Sequence, residues 1–72
     1  MNSQQDINHT ASMVISYFRK NIGITQVELA NVWGVTQGTV SKIEKGTLVP
    51  SVAQWVEVCD ILDVPRDMRL LQ

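Results

Sequence analysis

Residues 25–46 constrain the chain most: Thr25-Gln-Val-Glu-Leu-Ala-Asn-Val-Trp-Gly-Val-Thr-Gln-Gly-Thr-Val-Ser-Lys-Ile-Glu-Lys-Gly46. Thr25 is a good helix N-cap, and Glu28 three positions on completes a capping box. Val27, Leu29, Ala30 and Trp33 then recur at one-sided helical spacing. Gly34 follows, where a helix end calls for a left-handed backbone that glycine adopts without steric cost. Only Val35 separates it from a second capping residue, Thr36. The next helix places Val40 and Ile43 on one face and stops at Gly46. Two short capped helices joined by so tight a turn cannot lie side by side as a hairpin; they must cross at a large angle.

The spacing Thr25-Gln26-x-Glu28-Leu29-Ala30-x3-Gly34-Val35-Thr36-Gln37-x2-Val40-Ser41-x-Ile43-Glu44-x-Gly46 resembles the repressor/Cro (Xre-type, lambda-repressor-like) helix-turn-helix family of DNA-binding regulators. With Arg19 before it and Pro50 after it, the resemblance covers residues 11 to 64. Type-specific residues agree in order and spacing over two helices and their turn, a far more specific signal than a lone glycine motif. The resemblance implies an all-α fold of five short helices and a phage or other prokaryotic transcriptional regulator. The domain layout expected is a flexible N-terminus over 1–6 and a single DNA-binding domain over 7–72. Its helix-turn-helix motif lies at 25–45 and its dimerisation region at 56–72.

Seventy-two residues make one small domain that buries only about 60% of its unfolded surface and gains from oligomerisation. The 44% hydrophobic content suits a folded globule. No apolar run approaches the ~18 residues of a membrane span, and the first residues have neither a basic region nor an apolar stretch of a secretory signal. One cysteine makes no internal disulfide, and no Cys/His cluster offers a zinc site. These features fit a cytoplasmic protein without cofactors. No nucleophile triad, paired carboxylates or phosphate loop supports an enzyme.

A net charge of −1 is low for a DNA binder, because phosphate affinity comes from Lys and Arg. Its distribution favours the motif. Arg19, Lys20, Lys42 and Lys45 against Glu28 and Glu44 give residues 19–45 a net +2, whereas residues 46–72 carry −2.

Taken in order, Ile7, Ala11, Val14, Ile15, Phe18 and Ile22 predict a first helix ending near Asn21 to Gly23, with Thr10 or Asn8 as cap. His9 has no ligand partner nearby and reads as exposed or capping. The resemblance implies an Arg19–Glu44 ion pair between this helix and the end of the third; the alternative is two solvated charges worth little. It also places Thr25 and Gln26 at a phosphate, beside the positive end of the second helix.

The third helix, Gln37 to Lys45, is expected to enter the major groove. Thr36, Gln37, Gly38, Thr39, Ser41 and Lys42 face outward. Gln37 and Lys42 suit direct readout, since glutamine pairs with adenine N6/N7 and lysine reaches guanine O6/N7. Thr36, Thr39 and Ser41 touch either phosphates or bases. Gly38 departs from the larger polar residue common in the family: it allows close backbone approach, leaves room for a thymine methyl, or is an exposed position of little consequence. Lys45, Gly46 and Thr47 lie where the helix runs out beside the backbone.

Leu48 and Val49, apolar where the family is polar, mean packing inside the loop or a protein interface. Ser51 caps a fourth helix with Val52, Trp55, Val58, Cys59 and Leu62 inward; Trp33 and Trp55 read as core. Pro65 fits the first position of a fifth helix ending near Leu71. Val56, Ile61, Val64, Met68, Leu70 and Leu71 form an apolar patch expected to mark a homodimer interface. The dimer would set two recognition helices about 34 Å apart on a roughly palindromic operator. RNA polymerase is a further partner that this regulatory reading would imply. The competing class is an antitoxin-like interaction module whose main partner is a toxin or another protein.

Overall fold

The computed structural model describes residues 3–69, with side chains from His9 onward. Four α-helices follow one another: α1 Ser3–Ile22, α2 Gln26–Trp33, α3 Gln37–Glu44 and α4 Val52–Ile61. A single 3-10 turn, Arg66–Met68, closes the described chain, and no strand occurs among the described residues. The expected fifth α-helix is therefore replaced by this turn. Pro65 stands before it with ψ 147°, and no side chain caps it. Leu70 and Leu71 lie outside the described residues. Helix α1 begins at Ser3, four residues ahead of the Ile7 from which the apolar repeat is legible.

Each local boundary has a chemical cause. Thr25 accepts a hydrogen bond from the Glu28 amide at 3.0 Å while Glu28 Oε1 accepts from the Thr25 amide at 2.9 Å, a complete capping box. Ser51 and Gln54 do the same for α4, at 3.1 and 2.9 Å. Gly34 sits at φ 82° and hands its amide to the Ala30 carbonyl at 2.9 Å, so α2 ends in the left-handed residue its sequence demands. Helix α4 ends the same way without glycine: Asp63 takes φ 55°, and the Val64 amide reaches back to the Cys59 carbonyl at 2.9 Å.

The core gathers Ala11, Val14 and Ile15 of α1, Leu29, Ala30 and Trp33 of α2, Val40 and Ile43 of α3, and Trp55, Val58 and Cys59 of α4, closed by Leu62 and Val64. Phe18, Ile24, Val35 and Ile61 pack around it. Both tryptophans are core. Three apolar positions assigned inward by spacing point out instead. Val27 and Val52 are 54% and 82% exposed because each lies in the first turn of a short helix, off the buried face. Ile22 is 47% exposed because α1 ends there, and Ile24, past the Gly23 reversal, occupies the core edge in its place.

Candidate nucleic-acid interface

Helices α2 and α3 pack tightly on one another, and α3 also packs on α1. The Gly34-Val35-Thr36 turn brings the N-termini of α2 and α3 together, so Gln26 and Gln37, the first residues of the two helices, meet. Gln37 Nε2 donates to Gln26 Oε1 at 2.8 Å, and Gln26 Nε2 donates to Glu44 Oε1 at 3.0 Å. Glu44 in turn takes two of the three arms of Arg19: Nε donates to Oε2 at 2.6 Å and Nη2 to Oε1 at 3.0 Å. The third arm, Nη1, donates to the Ile24 carbonyl at 2.8 Å. One continuous chain of hydrogen bonds thus runs from α1 to the exposed start of α3.

The ion pair is buried, with side-chain exposures of 11% for Arg19 and 8% for Glu44. A bidentate guanidinium–carboxylate pair fixes geometry as well as charge. Burial pushes the Glu44 carboxyl up, yet the hydrogen bonds from Arg19 and Gln26 and the charges of Arg19 and Lys20 outweigh it and hold the group below its ordinary value. Its hydrogen bond to Glu44 raises the Arg19 guanidinium further. Ser12 adds a second tie, its hydroxyl donating to the Glu44 backbone carbonyl. The start and the end of α3 are therefore both held, and its outward face is left to solvent.

That face carries Thr36, Gln37, Gly38 and Lys42, all exposed, with Thr39 and Ser41 half-buried beside them. Thr36 caps α3 by accepting from the Thr39 amide at 3.1 Å, and the two hydroxyls lie 2.9 Å apart. Lys45 is exposed at the far end.

The helix-turn-helix family model matches residues 15–68, three quarters of the chain. The chain belongs to the helix-turn-helix family. Its type within that family is the Xre, lambda-repressor-like one, and it is a DNA-binding regulator of transcription. No curated protein and no solved structure matches it significantly.

In this helix-turn-helix protein the residues expected at DNA differ in how free they are. Gln37, Gly38 and Lys42 on α3, and Lys45 at its C-terminal cap, have their outer surface open. Thr25, Thr36 and Thr47 are exposed but already hold backbone: Thr47 donates to the Lys42 carbonyl at 3.1 Å and so finishes α3. Gln26 is half-buried and links Glu44 to Gln37, a role that the phosphate contact expected of it does not announce. The only sequence trace of that link is the dipeptide Thr-Gln occurring twice at the starts of successive capped helices. Ser12 was equally silent, although it lies seven residues, two helical turns, before Arg19 and so shares its face.

The apolar patch expected at a dimer interface is smaller than the sequence indicates. Val64 is 2% exposed and belongs to the core, and Ile61 packs against that core. The reversal at Asp63 turns Val64 inward. Val56 and Met68 remain exposed, at 51% and 44%. Leu48 is partly exposed and Val49 half-buried. Cys59 is fully buried, and burial pushes its thiol up to about 11, which makes it a small apolar filler and not a nucleophile. Among the described residues no helix is long and apolar enough to cross a membrane, and no cluster of His, Cys, Asp and Glu could hold a metal ion.

Proposed function

We propose that the chain is a sequence-specific repressor that lays α3 in the major groove of double-stranded DNA as a homodimer, acting on a roughly palindromic operator and regulating its own promoter. The supporting observation is the Gln37 side chain, exposed at the first turn of α3 yet held by the Gln26–Glu44–Arg19 chain. A readout group on a rigid support loses little freedom on binding. Lys42 adds a cation within reach of guanine, while Lys45 and the N-terminus of α2 at Thr25 and Gln26 serve phosphates. Thr36, Thr39 and Ser41 line the same groove face, and Thr47 lies beside the backbone. Gly38 lets the start of α3 approach closely: a Cβ there would meet only Thr36 Oγ1, at 3.8 Å, so no internal packing requires glycine.

Dimerisation through Val56, Met68 and the residues that follow supplies the affinity that a net charge of −1 withholds. Fluorescence anisotropy with the protein's own upstream DNA and a scrambled duplex, at several salt concentrations, tests this. Tighter binding to the upstream duplex with two chains per site supports the repressor reading. Equal weak binding to both overturns it and favours the antitoxin-like alternative. That alternative draws on the open apolar groove of about 220 Å³ lined by Met13, Val14, Tyr17, Phe18 and Met68, which has room for a partner's side chains.

A further inference from the structure

We infer that α1 pairs antiparallel with α1 of a second copy of this chain, across a two-fold axis at Met13; this rests on the reading of the regulator as a homodimer and names the surface that makes it. Helix α1 is longer than its core packing needs. It spans Ser3–Ile22, roughly 30 Å, yet the first of its described core side chains is Ala11 and the family match starts only at 15. The side turned away from the core is apolar in its middle. Met13 and Tyr17, one turn apart, are 56% and 63% exposed, and with Val14, Phe18 and Met68 they line an open groove. Large apolar residues grouped on an exposed face mark an interface. Met68 is common to this groove and to the dimer surface proposed for the C-terminal segment.

The charges along that side of α1 select the occupant. Positions 6, 13 and 20 recur every seven residues, about two turns, and hold Asp, Met and Lys. An acid at one end of the line and a base at the other repel a parallel copy and complement an antiparallel one. With Met13 on the axis, position 6 of each chain meets position 20 of the other, and α1 is overlapped along nearly its whole length. Asp6 and Lys20 stand roughly 21 Å apart along one helix, too far to pair within a chain. The opposed helix dipoles favour the same arrangement.

The pairing leaves α3 open. Ser12 and Arg19 hold Glu44 at the end of α3, and each stands about 100° around α1 from its neighbour, Met13 or Lys20. Helix α3 thus lies to one side of the plane of the paired helices. A two-fold normal to that plane puts both copies of α3 on the same side, where one duplex meets both.

Sedimentation equilibrium of the full chain without DNA tests the pairing, on wild type, Asp6→Lys, Lys20→Asp, the double exchange of the two, Met13→Glu and Val56→Glu. Each single exchange sets like charges against each other twice in the dimer and should raise its dissociation constant about tenfold. The double exchange restores opposite signs only across the antiparallel contact, and should return the constant to within about twofold of wild type. Met13→Glu brings two carboxylates together on the axis and should leave the chain monomeric; the exchange pair carries the test if that variant folds poorly. Single exchanges without effect, or a double exchange as weak as the singles, overturn the α1 pairing. Loss of the dimer in Val56→Glu, with the α1 variants still dimeric, overturns it too and leaves the homodimer reading standing. A wild-type chain that stays monomeric at every concentration overturns both.

Discussion

The Trp55 indole Nε1 donates to the backbone carbonyl of Arg69 at 2.6 Å, fastening the end of the described chain to α4. Arg69 returns the contact: its guanidinium donates to the Val64 carbonyl at 2.6 Å, the Cys59 carbonyl at 3.3 Å and Asp60 Oδ1 at 2.7 Å. The two residues close a loop that satisfies carbonyls at the end of α4, where helical partners run out. Asp60 is largely exposed, so the ion pair adds little and the carbonyl contacts carry the effect.

Arg69→Ala should therefore lower stability by about 1–3 kcal/mol, the cost of leaving part-buried carbonyls unmatched. Trp55→Phe should cost about 1 kcal/mol or more, because the Arg69 carbonyl loses its donor. Urea denaturation of both variants checks this; wild-type midpoints would mean the closure contributes nothing.

Arg19→Ala removes one partner of a buried pair and strands Glu44, a loss of about 3–5 kcal/mol. Against a typical total of about 5–15 kcal/mol, the variant should melt far lower or fail to fold. Thermal melts followed by circular dichroism measure it.

The same pair predicts acid lability. Glu44 titrates below its ordinary value in the folded protein, so its stabilisation is full above the unfolded carboxylate's pKa and is lost as pH falls through the lower folded one. Stability should decline on acidification below about pH 4.5, the ordinary carboxyl value. In Glu44→Gln this part of the decline should vanish, as read from urea midpoints at stepped pH.

Asp63 adopts φ 55° where the other described left-handed residues are glycines. Asp63→Gly should remove local strain and, after the entropy cost of glycine, raise stability by up to about 1 kcal/mol. An unchanged or lower melting temperature would mean that the aspartate side chain itself steadies the turn.

Lys45→Ala should weaken binding to all duplexes and flatten the salt slope by about one unit. Gly38→Ala should fold at least as well as wild type, since the added methyl group meets no crowding. Weaker operator binding by that variant, measured by anisotropy, would show that glycine serves the approach of α3 to DNA; unchanged binding would make the position indifferent.

Much of the motif was legible because its signals are local. Thr25, Glu28, Gly34 and Thr36 act within a few residues of themselves, so caps and turn follow from side-chain chemistry alone, and α2 runs from Gln26 to Trp33 as its pattern predicts. The Arg19–Glu44 contact spans 25 residues and was reachable only through family resemblance. What only the tertiary structure decided is how the remaining polar and apolar groups are shared out. Val64 looks like surface in a list of apolar residues, but the reversal at Asp63 turns it into the core. Pro65 looks like a helix start, yet without a side-chain cap the segment closes as a 3-10 turn held by Trp55 and Arg69. Gln26 looks like a free phosphate ligand, and only the crossing of α2 over α3 places it between Glu44 and Gln37. Local hydrogen bonds are written in neighbouring residues, whereas burial and relayed contacts depend on which elements meet in space.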